Sequence, residues 1–289
     1  MSERIIVGVD GGPASDSAVD WVVDRAVDRA VDVELMTVFE TVRLPHGQQV
    51  PTSRAPYEEL LRRVGARLAP LTPTLNAVAG DPTPALLSAS RRSDLIVLGA
   101  NRTGAIAGLV HGTTALKVAG RALCPTVVVP IGWLPGHEGV VCGWTDDGTS
   151  DAALEFAARE ARHADTTLTI VHVWRLPAIA GVEGTGLDLS GIVSEEARIL
   201  GEVAERTRLA HPGLTVETHL APGSASRSII ELGAKAALIV VGSHGRGAVG
   251  GLILGSVSHD VLMSLPAPVA VIPSPEPITV LPEIVDEDL

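Results

Sequence analysis

The sequence predicts an α/β protein built twice over: two consecutive, similar domains, each a parallel, doubly wound sheet covered by helices. Three observations carry that reading. Apolar, β-branched runs alternate with helical patterns along the 289 residues. The start, Ile5-Ile6-Val7-Gly8-Val9-Asp10 followed by Asp16 to Trp21, returns 135 residues on as Val140-Val141-Cys142-Gly143-Trp144-Thr145 followed by Asp151 to Phe156. Further along, Leu95-Ile96-Val97-Leu98-Gly99 returns as Leu238-Ile239-Val240-Val241-Gly242, and Gly112, Pro125 and Pro130 as Gly255, Pro268 and Pro273, all 143 residues on. The second copy thus has 143 − 135 = 8 extra residues, which we place in the Gly-rich stretch Ala180 to Gly191. We expect a first domain over 1–131, a linker over 132–138, a second domain over 139–274 and an acidic, Pro-containing tail over 275–289.

In the first copy a strand at 5–9 leads to a helix near 15–30, because Ala18, Trp21, Val22 and Ala26 recur at helical spacing. A strand at 34–39 follows, then an irregular stretch, then a helix near 56–69 marked by Leu60, Leu61, Val64 and Leu68. A third strand ends at Gly80 and a short helix starts near Pro84, since Pro suits the first helical turn. The unbroken apolar run 95–98 reads as a parallel strand covered on both faces. A helix near 113–123 and a last strand, Thr126 to Val129, close the copy.

Composition removes several function classes. Apolar residues are 46% of the chain, so it is not a disordered one. The balance of 22 basic and 34 acidic residues, net −12, argues against a phosphate-backbone footprint on DNA or RNA. With 4 Trp, 2 Phe and 1 Tyr there is no stacking platform for single strands. Cys124 and Cys142 have no metal-ligand spacing and read as small apolar residues near strands. Lys117 and Lys235 are the only lysines, and neither sits in a Gly-rich loop, so a P-loop lysine is absent. No apolar run approaches the roughly 18 residues of a membrane helix, and Met1 to Arg4 runs straight into a strand, so we expect a cytoplasmic protein.

In an open parallel sheet, ligands bind beyond the carboxyl ends of the strands, where the strand order reverses. Two motifs stand there. Asp10 ends the first strand; Gly242-Ser243-His244-Gly245 follows the apolar strand of the second copy and leads through Gly250 and Gly251 to Gly255-Ser256. Glycines let the backbone approach a ligand closely, and a helix start offers unpaired N–H groups to an anion. The spacing Gly-x2-Gly-x9-Gly-Ser, in a strand–loop–helix context, resembles the universal stress protein family in its tandem form, over roughly residues 3–130 and 139–273.

The resemblance implies Rossmann-like domains with strand order 3-2-1-4-5, pairing as an intramolecular pseudo-dimer through their last strands. It also implies ATP as ligand, with Mg²⁺ on the phosphates. By that resemblance the strand-one Asp holds the nucleoside, a backbone group after strand two meets the adenine, and the glycine loop with the Ser/Thr helix start wraps the phosphates. Carried over, the first copy offers Asp10, Val38, Leu98, Gly99, Arg102, Gly112, Thr113 and Thr114. The second offers Thr145, Val173, Val241, Gly242, His244, Gly245, Gly255, Ser256, Val257 and Ser258.

Each copy departs from the pattern once. Arg102 replaces the second motif glycine in copy one, where it either pairs with phosphates or fills their space. Thr145 stands at the Asp position of copy two and offers a ribose only a hydroxyl, with Asp146 and Asp147 as neighbouring substitutes. Simpler roles exist for the same residues. Asp10 in Asp-Gly-Gly-Pro is strong turn chemistry, Ser256 suits a helix N-cap, and His244 and Arg102 suit a solvated surface. The residues favour a nucleotide-dependent binding module with little or no turnover, because phosphoryl transfer needs a positioned base and charge clamps. Two alternatives stay open: an adenylating or ATP-pyrophosphatase-type enzyme, which Asp10 to Ser15 resembles loosely, and a scaffold without nucleotide. Unidentified protein partners and a homodimer of tandems are further expectations.

Overall fold

The computed structural model describes residues 2–39, 41–43, 49–51, 53–101, 113–174, 189–243 and 254–274. Its first half contains β1 (Glu3–Gly8), α1 (Pro13–Arg25), β2 (Val31–Phe39), a small hairpin of β3 (Thr41–Arg43) and β4 (Gln49–Pro51), α2 (Ala55–Gly65), β5 (Thr74–Ala79), α3 (Pro82–Ala89), β6 (Leu95–Ala100), α4 (Thr113–Ala119) and β7 (Thr126–Pro130). Its second half contains β8 (Val140–Trp144), α5 (Asp151–His163), β9 (Leu168–Trp174), α6 (Leu189–Ala210), β10 (Val216–Pro222), α7 (Ala225–Gly233), β11 (Leu238–Gly242), α8 (Ser256–Ser264) and β12 (Val269–Ile272).

Ten strands form one sheet in the order β10-β9-β8-β11-β12-β7-β6-β1-β2-β5. Counted in chain order within each half, the five sheet strands run third, second, first, fourth, fifth. Every pair in this sheet is parallel except β7–β12, which pairs antiparallel as Thr126↔Val271, Val127↔Ala270 and Val128↔Val269. Under the 143-residue offset Val127 and Ala270 are the same position, so a pseudo-two-fold axis passes through that pair.

Side chains alternate between the two faces of the strands, and both faces are covered. Ile5, Val7 and Val9, with Leu95 and Val97, point to one core, under α1, α2, α5 and α6. Ile6, Ile96 and Leu98 point to the other, under α3, α4, α7 and α8. Both cores run across the seam, with Val127, Val129, Ala270 and Ile272 on the first side and Val128, Val269 and Val271 on the second.

Sequence periodicity set several element ends differently. Helix α1 stops at Arg25, and α2 gives way to a 3-10 turn at Ala66–Leu68. The extra residues of the second copy lie partly in helix: α6 has 22 residues against 11 in α2. The 143-residue offset sets α2 against the carboxyl-terminal part of α6, so the added turns extend its amino-terminal end and take in Gly191, the last residue of the stretch in which we placed the insertion. One glycine near a helix start costs about 1 kcal/mol, which a long helix packed through Leu200, Val203 and Ala204 absorbs.

The seam carries a charged network besides its strands. Arg25 donates to both carboxylate oxygens of Glu160, at 2.8 and 2.9 Å, and to both of Glu3, each at 2.8 Å. Arg29 donates to the two Glu160 oxygens, each at 3.0 Å. Burial pushes the Glu160 carboxyl up, but hydrogen bonds and charge from Arg25 and Arg29 outweigh it and hold the group at about 2, against an ordinary 4.5. A folded value below the unfolded one means stability that is present above about 4.5 and lost as pH falls toward about 2. Glu34, held low chiefly by Arg92, and Asp94, held low chiefly by Arg4, act in the same direction. Urea titrations at pH 5 and pH 2.5 are expected to show about 2 kcal/mol lost from Glu160 alone, and Glu160→Gln to flatten that slope.

Candidate functional site

The crevice the sequence points to lies where the order of strands reverses, between β1 and β6 in the first half and between β8 and β11 in the second. The register builds the first of these. Gly8 pairs with Met36 and Val7 with Val97, so two residues further on Asp10 stands level with Val38, and Val9 level with Gly99. Asp10 is exposed, and its Oδ1 accepts the Gly12 N–H at 2.8 Å. That bond is the turn chemistry that Asp-Gly-Gly-Pro suggests, with Gly11 at φ +81°. The Asp10 Oδ2 accepts no hydrogen bond among the described residues.

Gly99 has a packing reason of its own. A Cβ there would lie 1.9 Å from the Ala14 carbonyl oxygen and 2.7 Å from the Ser15 nitrogen, so the first turn of α1 rests directly on the end of β6. Leu98 is buried in the second core and pairs with Val128 in the sheet, and Val38 packs partly against that core. Thr113 and Thr114 open α4, exposed and half-buried respectively. Arg102 and Gly112 lie outside the described residues.

The second crevice has the same framework and different chemistry. Trp144 pairs with His172, and one residue further Thr145 stands level with Val173. Thr145 is held in a closed turn: its N–H donates to Ser150 Oγ at 3.2 Å and its hydroxyl to Asp147 Oδ2 at 3.2 Å. Asp147 Oδ1 in turn accepts the Thr149 N–H at 2.9 Å and the Thr149 hydroxyl at 2.5 Å. Asp147 therefore caps this turn, and its carboxylate does not stand in for that of Asp10.

Val241 is buried in the second core and Val257 packs partly against it; Gly242 pairs with Ile272 at the strand end. Gly255 is the N-cap of α8, with extended ψ of 155°, so Ser256 occupies the first helical position and not the cap we had considered for it. Ser256 is exposed at the start of that helix. Ser258 is buried, and its hydroxyl donates to the carbonyls of Gly255 at 3.0 Å and Ser243 at 3.3 Å. His244 and Gly245 lie outside the described residues.

Sequence reasoning missed a polar knot beside the second crevice. His172 is buried, its Nδ1 donates to the Trp144 carbonyl at 3.2 Å, and its Nε2 stands 2.9 Å from Glu196 Oε2 on α6. The Trp144 ring packs against His172 at 5.3 Å, and its buried Nε1–H has no partner among the described residues. The first half holds Val9 and Thr37 at these positions. The 135-residue offset would have shown both differences, but a buried His–Glu pair also needs Glu196, in the part of α6 that has no counterpart in α2.

Among the described residues no cluster of His, Cys, Asp or Glu could hold a metal ion, and no helix is long and apolar enough to cross a membrane. Both thiols are buried and free; burial pushes Cys142 up to about 12 and raises Cys124, so neither is a poised nucleophile.

Comparison with known proteins matches this picture. A model of the universal stress protein family matches residues 1–130 and again residues 138–273. Two universal stress proteins of Mycobacterium tuberculosis are each 29% identical, over 286 and 309 aligned residues; the matches cover 92% and 94% of this chain and 96% and 95% of theirs. A universal stress protein structure from Archaeoglobus fulgidus shares the fold at a TM-score of 0.72 and 20% identity, spanning 94% of this chain and 99% of its own. One from Pseudomonas aeruginosa, described as putative, gives 0.65 at 16% identity, over 94% of each chain.

Proposed function

The chain belongs to the universal stress protein family in its tandem form, and from that premise we propose that it is a cytoplasmic, ATP-binding stress-response module that works by binding, with little or no turnover. One observation supports this reading most. At the reversal point of the first half, an exposed carboxylate with an oxygen to spare, Asp10, stands level with Val38 and beside Gly99. A nucleoside there would take the Asp10 carboxylate at its ribose and the backbone at Val38 for its base. The helix start at Thr113 and Thr114, with Gly112 and Arg102, would face the phosphates.

Mg²⁺ would ride on the phosphates and neutralise their charge, since the chain supplies no ligand cluster among its described residues. The second half would offer its phosphate end through Gly242, His244, Gly245, Gly255 and Ser256, with Val173, Val241 and Val257 as the apolar surround. At the position of Asp10 it has Thr145, whose hydroxyl already donates to Asp147. We therefore infer unequal sites, the first half the stronger. Slow hydrolysis fits this inventory; fast catalysis does not, for want of a lysine clamp and a positioned base.

The experiment is to denature the purified protein, identify the released nucleotide by mass per mole of chain, and follow melting of stripped protein in excess Mg-ATP. A ligand bound by the native state alone raises the midpoint, by about 2.7 kcal/mol of stability at 100 times Kd. Between one and two equivalents and a raised midpoint are expected. No nucleotide and an unmoved midpoint would leave a scaffold.

A further inference from the structure

Near a two-fold axis each position of one half faces the same position of the other. The charged residues at this seam obey that rule under the 135-residue offset that relates α1 to α5. Arg25 faces Glu160, and 25 + 135 = 160. Asp28 faces His163 at 3.5 Å, and 28 + 135 = 163. At both self-facing positions the two halves carry unlike groups. The first half brings Glu3, Arg25 and Arg29 to the network, a net +1, and the second brings Glu160, a net −1.

We propose that this seam is a charge-coded recognition surface, through which each half accepts the unlike half and rejects a copy of itself. Two first halves would set Arg25 against Arg25 and Asp28 against Asp28. Two second halves would set Glu160 against Glu160. The side chains of Arg25 and Glu160 are only 4% and 10% exposed, so an unmatched charge there is poorly solvated. The strands do not make this choice. Their bonds are backbone bonds, and the facing residues are Thr126, Val127, Val128, Val269, Ala270 and Val271, which carry no charge. Partner choice therefore rests on α1 and α5, with repulsion against the wrong pairing as its source.

The full-length chain can be made to present either like-charged seam. Glu160→Arg sets a guanidinium against Arg25 and Arg29, and Arg25→Glu sets carboxylates against one another. Both residues line a cleft of 590 Å³ beside the seam, so each change tests charge more than volume. Each reversal is expected to lower the thermal midpoint by about 10 °C, and Glu160→Arg by clearly more than Glu160→Gln. Adding Arg25→Glu to Glu160→Arg is expected to raise the midpoint again, although alone it lowers it. Additive losses in that pair, or a Glu160→Arg chain that melts with Glu160→Gln, would overturn the proposal. If a reversal does not fold, the cycle of Arg25→Gln, Glu160→Gln and both decides instead. A double variant that melts above the sum of the two losses supports the coupling, and simple addition overturns it.

Discussion

Replacing Gly99 by alanine is expected to remove about 3 kcal/mol or more of folding stability, beyond the usual cost of one surplus methyl in a core. The added carbon would lie 1.9 Å from the Ala14 carbonyl oxygen and 2.1 Å from its carbon. Both are backbone atoms of the first turn of α1, so no rotamer change relieves the contact; the helix must lift off β6. Helix α1 covers β1, β6 and β7 with Ala18, Val19 and Val22, all fully buried. Lifting it opens that core. Gly8→Ala is the control, because its new carbon comes too close only to the Leu98 Cδ2, 2.5 Å away at the end of a side chain that can turn, and meets Leu86 at ordinary contact distance. Urea or thermal unfolding of the two variants without nucleotide should separate them by about 2 kcal/mol or more. Equal melting would return Gly99 to a loop glycine whose only work is at a ligand.

The contrast shows what a sequence can and cannot display. Gly99 was legible as the first glycine of a loop, because glycine before a helix start is a pattern; that the helix of a different βα unit rests on it was not. The two halves were legible because apolar runs and glycines repeat at 135 and 143 residues, and a parallel sheet covered on both faces requires such runs. The seam network was illegible for the opposite reason. Arg25 and Glu160 sit at helical positions where a charge ordinarily means a solvated face, and their pairing joins the two halves. The knot of His172, Glu196 and Trp144 joins two strands to a helix across the unaligned stretch, and no local spacing marks it. Where a residue's role is set by its own strand end, as for Asp10, the sequence displays it; where it is set by a partner far along the chain, only the fold does.

Binding should separate the two crevices at Asp10 and Thr145. Asp10→Ala is expected to weaken Mg-ATP binding in the first half about tenfold or more, the loss that follows from removing a charged acceptor, worth about 1.5–3 kcal/mol. Its Gly12 bond contributes little to the fold, since Gly11 at φ +81° and Pro13 still set the turn. Thr145→Ala is expected to change binding less than threefold, because the Thr145 hydroxyl already donates to Asp147 and Thr149 still holds Asp147 in its absence. Calorimetry on the two variants reads both effects, and equal losses would show that Asp10 acts only through its turn. Installing the missing carboxylate needs two changes. Thr145→Asp alone would bring a second carboxylate against Asp147 Oδ2, whose present neighbour is the Thr145 oxygen at 3.2 Å, and like charges at that distance disfavour the ionised pair. With Asp147→Asn beside it the new acid keeps its charge and gains an amide neighbour. The double variant is therefore expected to bind more tightly in the second half while the single one does not, since only the double places an ionised carboxylate at the position that Asp10 holds in the first half.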